Sequence, residues 1–501
     1  MDVRQIKEDV RAGRIDGEQL VDLVVTLLQE LQQTREELQQ ARERIEELER
    51  DLGRRAPKLD EPFSVQAEER RQQRRGNRRR KEKPKRRGRK TTAEKVAQAE
   101  RTESVFPQGV PKDKCQLSHT RPVWRLENGR AVLVAYEIYR SGNCFGKIPG
   151  VPDRGEFGIE ISVAIAYQVY VVGLSFDKVC LLLDFFQNLK LIKSQADALL
   201  KRLAKQWESE FEILCELLAN SAVVHADETS WSINSVWAFL SEKVRLLFFG
   251  VHKDAATLKA ILDPAAFAGL VVSDDAAVYA NFTNAQKCWA HLLRKAIQLT
   301  LLEPDKTEYR EFADRLLEIY REAGRVQRDR RLSDAGRARK VAELDDEIVA
   351  LCLPVWSTEL PPTDGPQNDY RLLVNELMRL MLRCELFTFV TAAPTKAPNG
   401  LVQPVSGTNN EAERTLRGAA CARKTGRTSK TPAGARCRTV IVSVLESLRQ
   451  HLNELTLSSV IAEVRYWGQT GQSCFARLLA ALQLSTSAKS PLDLLLPLPG
   501  G

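Results

Sequence analysis

Between residues 221 and 296 the apolar period changes from helical to extended, and the order of segments there restricts the fold more than any other part of the chain. SAVVHADETSWSI, SVWAFLSEK and VRLLFFGVHK are three β-rich runs separated by very short turns. Such turns join antiparallel neighbours, because a parallel pair needs a long crossover. A helical piece, AATLKAILD, comes next, then the buried-looking strand GLVVSDD and a strand-to-helix passage, QKCWAHLLRKA.

The order βββαβ-x-β is that of an RNase H-like core, an antiparallel meander extended by parallel strands through a helix. The expected fold class is therefore α/β, with this core divided by a helical insertion and preceded by a coiled coil and a small zinc-ribbon-like module. Residues 155–220 read as helical, with apolar positions at three- and four-residue steps, and 221–300 hold the first part of the core. From Leu301 to about Arg383 the chain is charged and helical, and a Pro-rich loop follows at 394–404. Residues 301–400 therefore read as the insertion, because GTNNEAERTLRGAA afterwards resumes with a clean helix start. Residues 401–450 carry the final helix and a basic segment. The tail, 451–501, ends in PLDLLLPLPGG, too rich in proline for an assignment.

Ahead of the core, residues 1–55 read as helix. Val24, Leu27, Leu31, Thr34, Leu38, Ala41, Ile45, Leu48 and Leu52 fall on a and d positions of successive heptads. A seam that narrow is buried only against a partner helix, so a coiled-coil homodimer or higher oligomer is expected, the rival being a helix folded back on its own chain. Gly53 and Pro57 stop the helix, and 56–104 form a basic linker. Between Arg70 and Lys90, a run that includes Arg78, Arg79 and Arg80, fourteen Lys or Arg stand against one acid, Glu82. That strap carries +13 against a chain total of +9, so the remainder sums to −4. Such a run stays extended and binds polyanions by releasing their counterions, unless it is only a solvated linker. Residues 105–154 are β-like, as in RAVLVAYEIYR, and contain Cys115, His119 and Cys144. A closed zinc site needs four ligands, so these three argue for a metal-free remnant of a zinc-ribbon-like module over a bound Zn²⁺. Ten cysteines without a C-x-x-C suit free thiols in a reducing cytoplasm. The longest apolar stretch, Ile161 to Phe176, is broken by Gln168 and is too short to span a membrane.

Three acidic positions stand out by context. Asp227 ends the apolar strand VVHADET, Asp274 ends LVVSDD 47 residues later, and Glu413 lies on a helix 139 residues beyond. In an RNase H-like sheet the first and fourth strands are neighbours, so two strand-end carboxylates meet and one from a late helix completes a cluster. With no lysine nearby in sequence, such a cluster suits hard, oxygen-seeking cations such as Mg²⁺ or Mn²⁺. Each position has a plainer reading. A strand-end Asp is commonly turn chemistry, and Glu413 could pair with Arg417 one turn on. Glu228, Asp275 and Glu411 compete as neighbours. Thr408-x-x-Glu411 reads as a capping box, which would give Glu411 a structural task. Asn410, Glu413, Arg414 and Arg417 form one polar stripe, while Ala412, Leu416 and Ala419 form a packing face.

HADETSW, SDDAAVYANF with KCWAHLLRKA after it, and TNNEAERTLR followed by ARK together resemble a DDE transposase of the insertion sequence sixty-six family. The resemblance covers about residues 155–450. It implies Asp227, Asp274 and Glu413 as catalytic metal ligands. It sets Cys288, Trp289, His291 and Arg294 on the second block, and Asn409, Asn410, Arg414, Arg423 and Lys424 on the third. Departures are Asp275 where the family has glycine, Thr408 where it often has aspartate, and TGRTSKT in place of a tryptophan after the Arg-Lys pair. The implied activity is metal-dependent cleavage at the ends of a bacterial element and strand transfer into target DNA. Small companion proteins of the element and a nucleoid-associated location go with that reading. A nuclease without strand transfer and an inactive transposon-derived DNA-binding protein are the alternatives. Arg414, Arg417, Arg423, Lys424, Arg427, Lys430, Arg436 and Arg438 are expected to hold a DNA backbone beside Glu413. His291 and Trp289 could touch DNA, or equally be structural.

Overall fold

The computed structural model describes residues 90–501 except 153–154, 357–364, 399, 486–489 and 497–501, together with residues 12, 18, 25, 28–29, 32–40 and 43–44. The chain divides into two compact units, residues 1–89 and 90–501. In the first, residues 32–40 are helical and Leu38 is exposed. The heptad positions other than Thr34 and Leu38 lie outside the described residues, as does the basic strap up to residue 89, with Arg78, Arg79 and Arg80.

After a short helix at Thr92–Ala97, the second unit continues with β1 (Arg101–Val105), β2 (Gln116–Glu127), β3 (Arg130–Ser141) and β4 (Cys144–Phe145). β2 and β3 pair as a long antiparallel hairpin, and β1 lies parallel to β3. The hairpin closes through Asn128 and Gly129, both at positive φ (47° and 79°), the conformation a two-residue turn needs to match strand twist. Val123, Val132, Val134, Tyr136, Ile138 and Ile148 form a small apolar core on it. This is where the zinc-ribbon-like module was expected, and the three candidate ligands are dispersed. The Cys115 thiol donates to the Pro111 carbonyl at 3.4 Å, His119 is paired within β2 opposite Ile138, and Cys144 lies on β4. Among the described residues no metal-ligating cluster includes them; apolar packing along the hairpin holds this segment.

Helices follow as expected: α1 (Ile159–Ala166), buried on every side and running into a π-turn at Tyr167–Val171, then α2 (Phe176–Gln187) and α3 (Lys193–Ala219). Next come β5 (Val223–Ser230), β6 (Ser235–Leu240), β7 (Arg245–Val251), α4 (Ala255–Ile261), β8 (Leu270–Ser273) and β9 (Ala285–Lys287). They make one five-stranded sheet in the order β7-β6-β5-β8-β9. β5, β6 and β7 are antiparallel, whereas β8 and β9 run parallel to β5. The segment order read from the sequence is thus the order observed.

α5 (Trp289–Leu302), α6 (Thr307–Arg328), α7 (Asp334–Trp356) and α8 (Pro366–Leu382) pack around a second apolar core that includes Trp289, Leu316, Ile348 and Leu377. The chain then returns through α9 (Asn410–Lys424) and α10 (Pro432–His451), followed by α11 (Leu457–Thr470) and α12 (Cys474–Ala481). α9 lays Ala412, Leu416, Ala419 and Ala422 toward the sheet, the packing face expected of it. α10 covers edge strand β7 in an unusual way. Its Thr439, Ser443 and Ser447 hydroxyls, one turn apart, accept from the backbone N–H groups of Phe249, Leu247 and Arg245 at 2.9, 2.9 and 3.0 Å. A strand edge that would otherwise offer unpaired donors is therefore closed by side chains.

Candidate active site

β5 and β8 are parallel neighbours in register from Val223↔Leu270 to His225↔Val272. Two residues on, Asp227 lies within β5, opposite Ala238 of β6, and Asp274 directly follows the last residue of β8. Glu413 lies in the first turn of α9, its charge and that of Asp274 both act on the Asp227 carboxyl, and the start of that helix is tightly fixed. Its N-cap, Asn409, is fully buried. The Asn409 side-chain amide donates to the carbonyl of Ala226, the residue before Asp227, at 2.7 Å. Its backbone N–H donates to the Cys288 sulfur at 3.1 Å. One asparagine thus ties the strand bearing Asp227, the helix bearing Glu413 and the start of α5.

That arrangement overturns the expected capping box. Because Asn409 occupies the N-cap and turns its side chain toward β5, Thr408 lies outside the helix, where its hydroxyl meets that of Ser406 at 3.1 Å. Glu411 is held instead by the Arg245 guanidinium. The Glu413–Arg417 pair is not the contact formed either. Glu413 accepts from Arg294 at 2.7 Å and lies 3.6 Å from His291 Nε2.

Electrostatics separate Asp227 and Asp274 from their neighbours, whereas Glu413 is itself paired with Arg294. Burial pushes the Asp227 carboxyl up to about 7, assisted by the charges of Glu228, Asp274 and Glu413 and opposed by a hydrogen bond from the Glu228 N–H. Asp274 accepts from the Ala276 N–H at 3.0 Å. The competing neighbours each have a cation. The buried Glu228 carboxylate is held by Lys253 at 2.6 Å and by the Tyr279 hydroxyl. Asp275 pairs with Arg379, and Glu411 with Arg245.

The structure also brings in lysines that sequence proximity did not suggest. Lys287, on β9, is buried, which lowers its ammonium pKa, and it donates to the Asp274 carbonyl at 3.1 Å and to Ser273 Oγ at 3.3 Å. Lys253 reaches Glu228 from beyond the end of β7. A parallel strand pairing and a strand end supply these contacts, so no local motif could announce them.

Of the basic residues expected beside Glu413, Arg414, Arg417, Lys424 and Lys430 are exposed. Arg423 and Arg427 are half-buried and donate to the carbonyls of Ser230 and Gly173. Arg436 and Arg438 do not belong with them. Arg436 is buried against Glu208 and Asp493, both at 2.8 Å. Arg438 is buried within about 5 Å of the Tyr170, Trp231 and Phe249 rings, and burial pulls its guanidinium down to about 10. Trp289 is a core residue, fully buried, with its indole N–H on the Leu386 carbonyl at 2.7 Å.

Asp227 and Asp274 thus stand on neighbouring parallel strands of an α/β sheet, with Glu413 on a helix packed against that sheet. The sequence model of the transposase IS66 family matches residues 154–437, more than half of the chain, and the chain belongs to that family. It is accordingly a transposase-type, nucleic-acid-processing protein. The matched region contains the five-stranded sheet, the helices α5 to α8 and α9. Comparison with curated proteins gave no match. Among the described residues no helix is long and apolar enough to cross a membrane.

Proposed function

We propose that the protein is a metal-dependent DDE transposase that binds the ends of a bacterial insertion sequence, cleaves there and transfers the freed strand to target DNA. What supports this reading is the parallel pairing of the strands that carry Asp227 and Asp274 and the influence of the Asp274 and Glu413 charges on Asp227, while Glu228, Asp275 and Glu411 are engaged by cations away from that pair. The strand order, a three-stranded meander extended by two parallel strands, supports an RNase H-like core.

An all-carboxylate donor set with mutual repulsion suits hard divalent cations. Asp227, Asp274 and Glu413 would hold Mg²⁺ or Mn²⁺, which when bound activates the attacking oxygen and stabilises the leaving one in an in-line displacement. No Ser, Cys or Tyr nucleophile is required. Asn409 fixes the spacing of Asp227 and Glu413 through Ala226. Arg414, Arg417 and Lys424, with Arg423 and Arg427 behind them, hold the phosphodiester backbone without reading its sequence. The strap around Arg78, Arg79 and Arg80 adds sequence-independent affinity, and a coiled coil within residues 1–55 brings two copies, and so two element ends, together. Companion proteins of the element and the nucleoid are the natural partners and setting.

The test is to incubate purified protein with a labelled terminal repeat and a target plasmid, in Mg²⁺ and in EDTA. Cleaved and joined strands in Mg²⁺ alone are expected. Cleavage without joining would reduce the protein to a nuclease, and neither product under any divalent metal would refute the enzyme.

A further inference from the structure

Cys288, His291 and Glu413 each present a ligand atom, and these atoms all lie within 4.8 Å of one another. The three come from two elements: Cys288 caps α5, His291 lies in its first turn, and Glu413 projects from α9. Thiol, imidazole and carboxylate together form a donor set different in kind from Asp227 and Asp274. Hard cations have little use for sulfur, whereas Zn²⁺ and its relatives take S, N and O ligands in low coordination number.

The surroundings favour ligation. The Cys288 sulfur already accepts the Asn409 backbone N–H at 3.1 Å, a contact that orients it and offsets part of the rise that burial imposes on the thiol. One His291 ring nitrogen lies 3.6 Å from Glu413, and the other is buried without a hydrogen-bond partner. Ligation therefore breaks no hydrogen bond made by the ring. The competing cation on Glu413, Arg294, has a half-exposed side chain that can withdraw to water.

We infer that Cys288, His291 and Glu413 form a three-ligand site for a zinc-class divalent ion, and that filling it withdraws Glu413 from the site shared with Asp227 and Asp274. Binding displaces the Cys288 thiol proton to solvent and changes no oxidation state. Two ions of different chemistry then compete for one glutamate. Zn²⁺ acts as an inhibitor against Mg²⁺, through a residue the acidic centre cannot spare. This consequence for cleavage rests on the proposed function; the metal site itself does not.

Co²⁺ titration of the reduced full-length protein tests the site without DNA. The wild type should develop a thiolate-to-cobalt charge-transfer absorption that saturates at one equivalent and is bleached by Zn²⁺. Cys288→Ser should lose the band. His291→Gln, which keeps the thiol, should bind Co²⁺ at least ~10-fold more weakly. A wild type with no band, a Cys288→Ser protein that keeps it, or a His291→Gln protein with unchanged affinity each overturns the site. The histidine variant decides the matter alone if the serine variant does not fold. In a second arm, stoichiometric Zn²⁺ should suppress Mg²⁺-dependent end cleavage by wild type. Full cleavage with the Zn²⁺ site filled refutes the competition for Glu413. Absence of any cleavage refutes the proposed function and leaves the spectroscopic result standing.

Discussion

Arg436 and Arg438 enter the core from α10 with their charge accommodated, whereas Asp227, on β5, and Asp274, just past β8, have only backbone N–H groups as described hydrogen-bond donors. Arg436 has two carboxylates and Arg438 an aromatic cage. Charge removed from water is costly unless it is paired. The arginine pair therefore reads as part of the scaffold. Asp227 retains a burial cost, with a smaller repulsion from its acidic neighbours, that the fold leaves for a ligand to relieve, as functional sites commonly do at the expense of stability.

The largest effect expected from this contrast is on catalysis. Asp227→Asn and Asp274→Asn should each reduce Mg²⁺-dependent end cleavage by orders of magnitude, and the double variant should fall little further, because the residues act as one unit. The same Asp227 change should not harm the metal-free fold. The Asp227 carboxyl is raised from its ordinary 3.8 to about 7, so the folded state holds that proton more tightly than the unfolded state. Its contribution to stability is full below 3.8 and is lost as pH rises through about 7. Melting temperatures in EDTA should therefore decline for wild type from pH 5 to pH 8 more than for Asp227→Asn. An equal decline in the two proteins would break the account of a buried carboxylate without a cation.

Next in size, Arg438→Ala should destabilise the protein by about 3 kcal/mol, through lost packing and lost cation–π contact. DNA affinity of the folded protein should be unchanged. Chemical denaturation and a binding titration check this, and weaker DNA binding at undiminished stability would return Arg438 to the DNA-facing set. Asn409→Ala should cost about 1 to 3 kcal/mol, since it leaves the Ala226 carbonyl without its donor. It should also lower cleavage well beyond the unfolded fraction, by loosening Glu413 against Asp227. Cleavage that tracks the folded fraction alone would make Asn409 a purely structural clasp.

Much of this was legible in the sequence. Apolar runs with short turns gave β5, β6 and β7, and LVVSDD placed Asp274 at a strand end, whereas β5 runs on past Asp227 to Ser230 because β6 continues to pair with it. What was hidden depends on contacts between distant segments. Thr408-x-x-Glu411 has the pattern of a capping box, yet Asn409 finds a better partner in Ala226, 183 residues away, and the helix starts one residue later. Arg436 and Arg438 look like more of the basic run, but α10 is buried along nearly its whole length and has no solvent face to receive them. No period could separate inside from outside there. Cys115, His119 and Cys144 had the composition of a ligand set without the geometry, since β2 holds His119 in a ladder and the cysteines lie apart from it.

The smallest expected effect and one of the largest fall two residues apart, and measuring both tests the central claim most directly. Glu413→Gln removes a carboxylate from the acidic centre, whereas Glu411→Gln only weakens a partly exposed pair with Arg245, worth about 0 to 1 kcal/mol. Cleavage of a labelled element end in Mg²⁺ should collapse in Glu413→Gln and persist in Glu411→Gln, with melting temperatures confirming that both are folded. A folded, inactive Glu411→Gln beside a folded, active Glu413→Gln would contradict the assignment and move the third carboxylate two residues back.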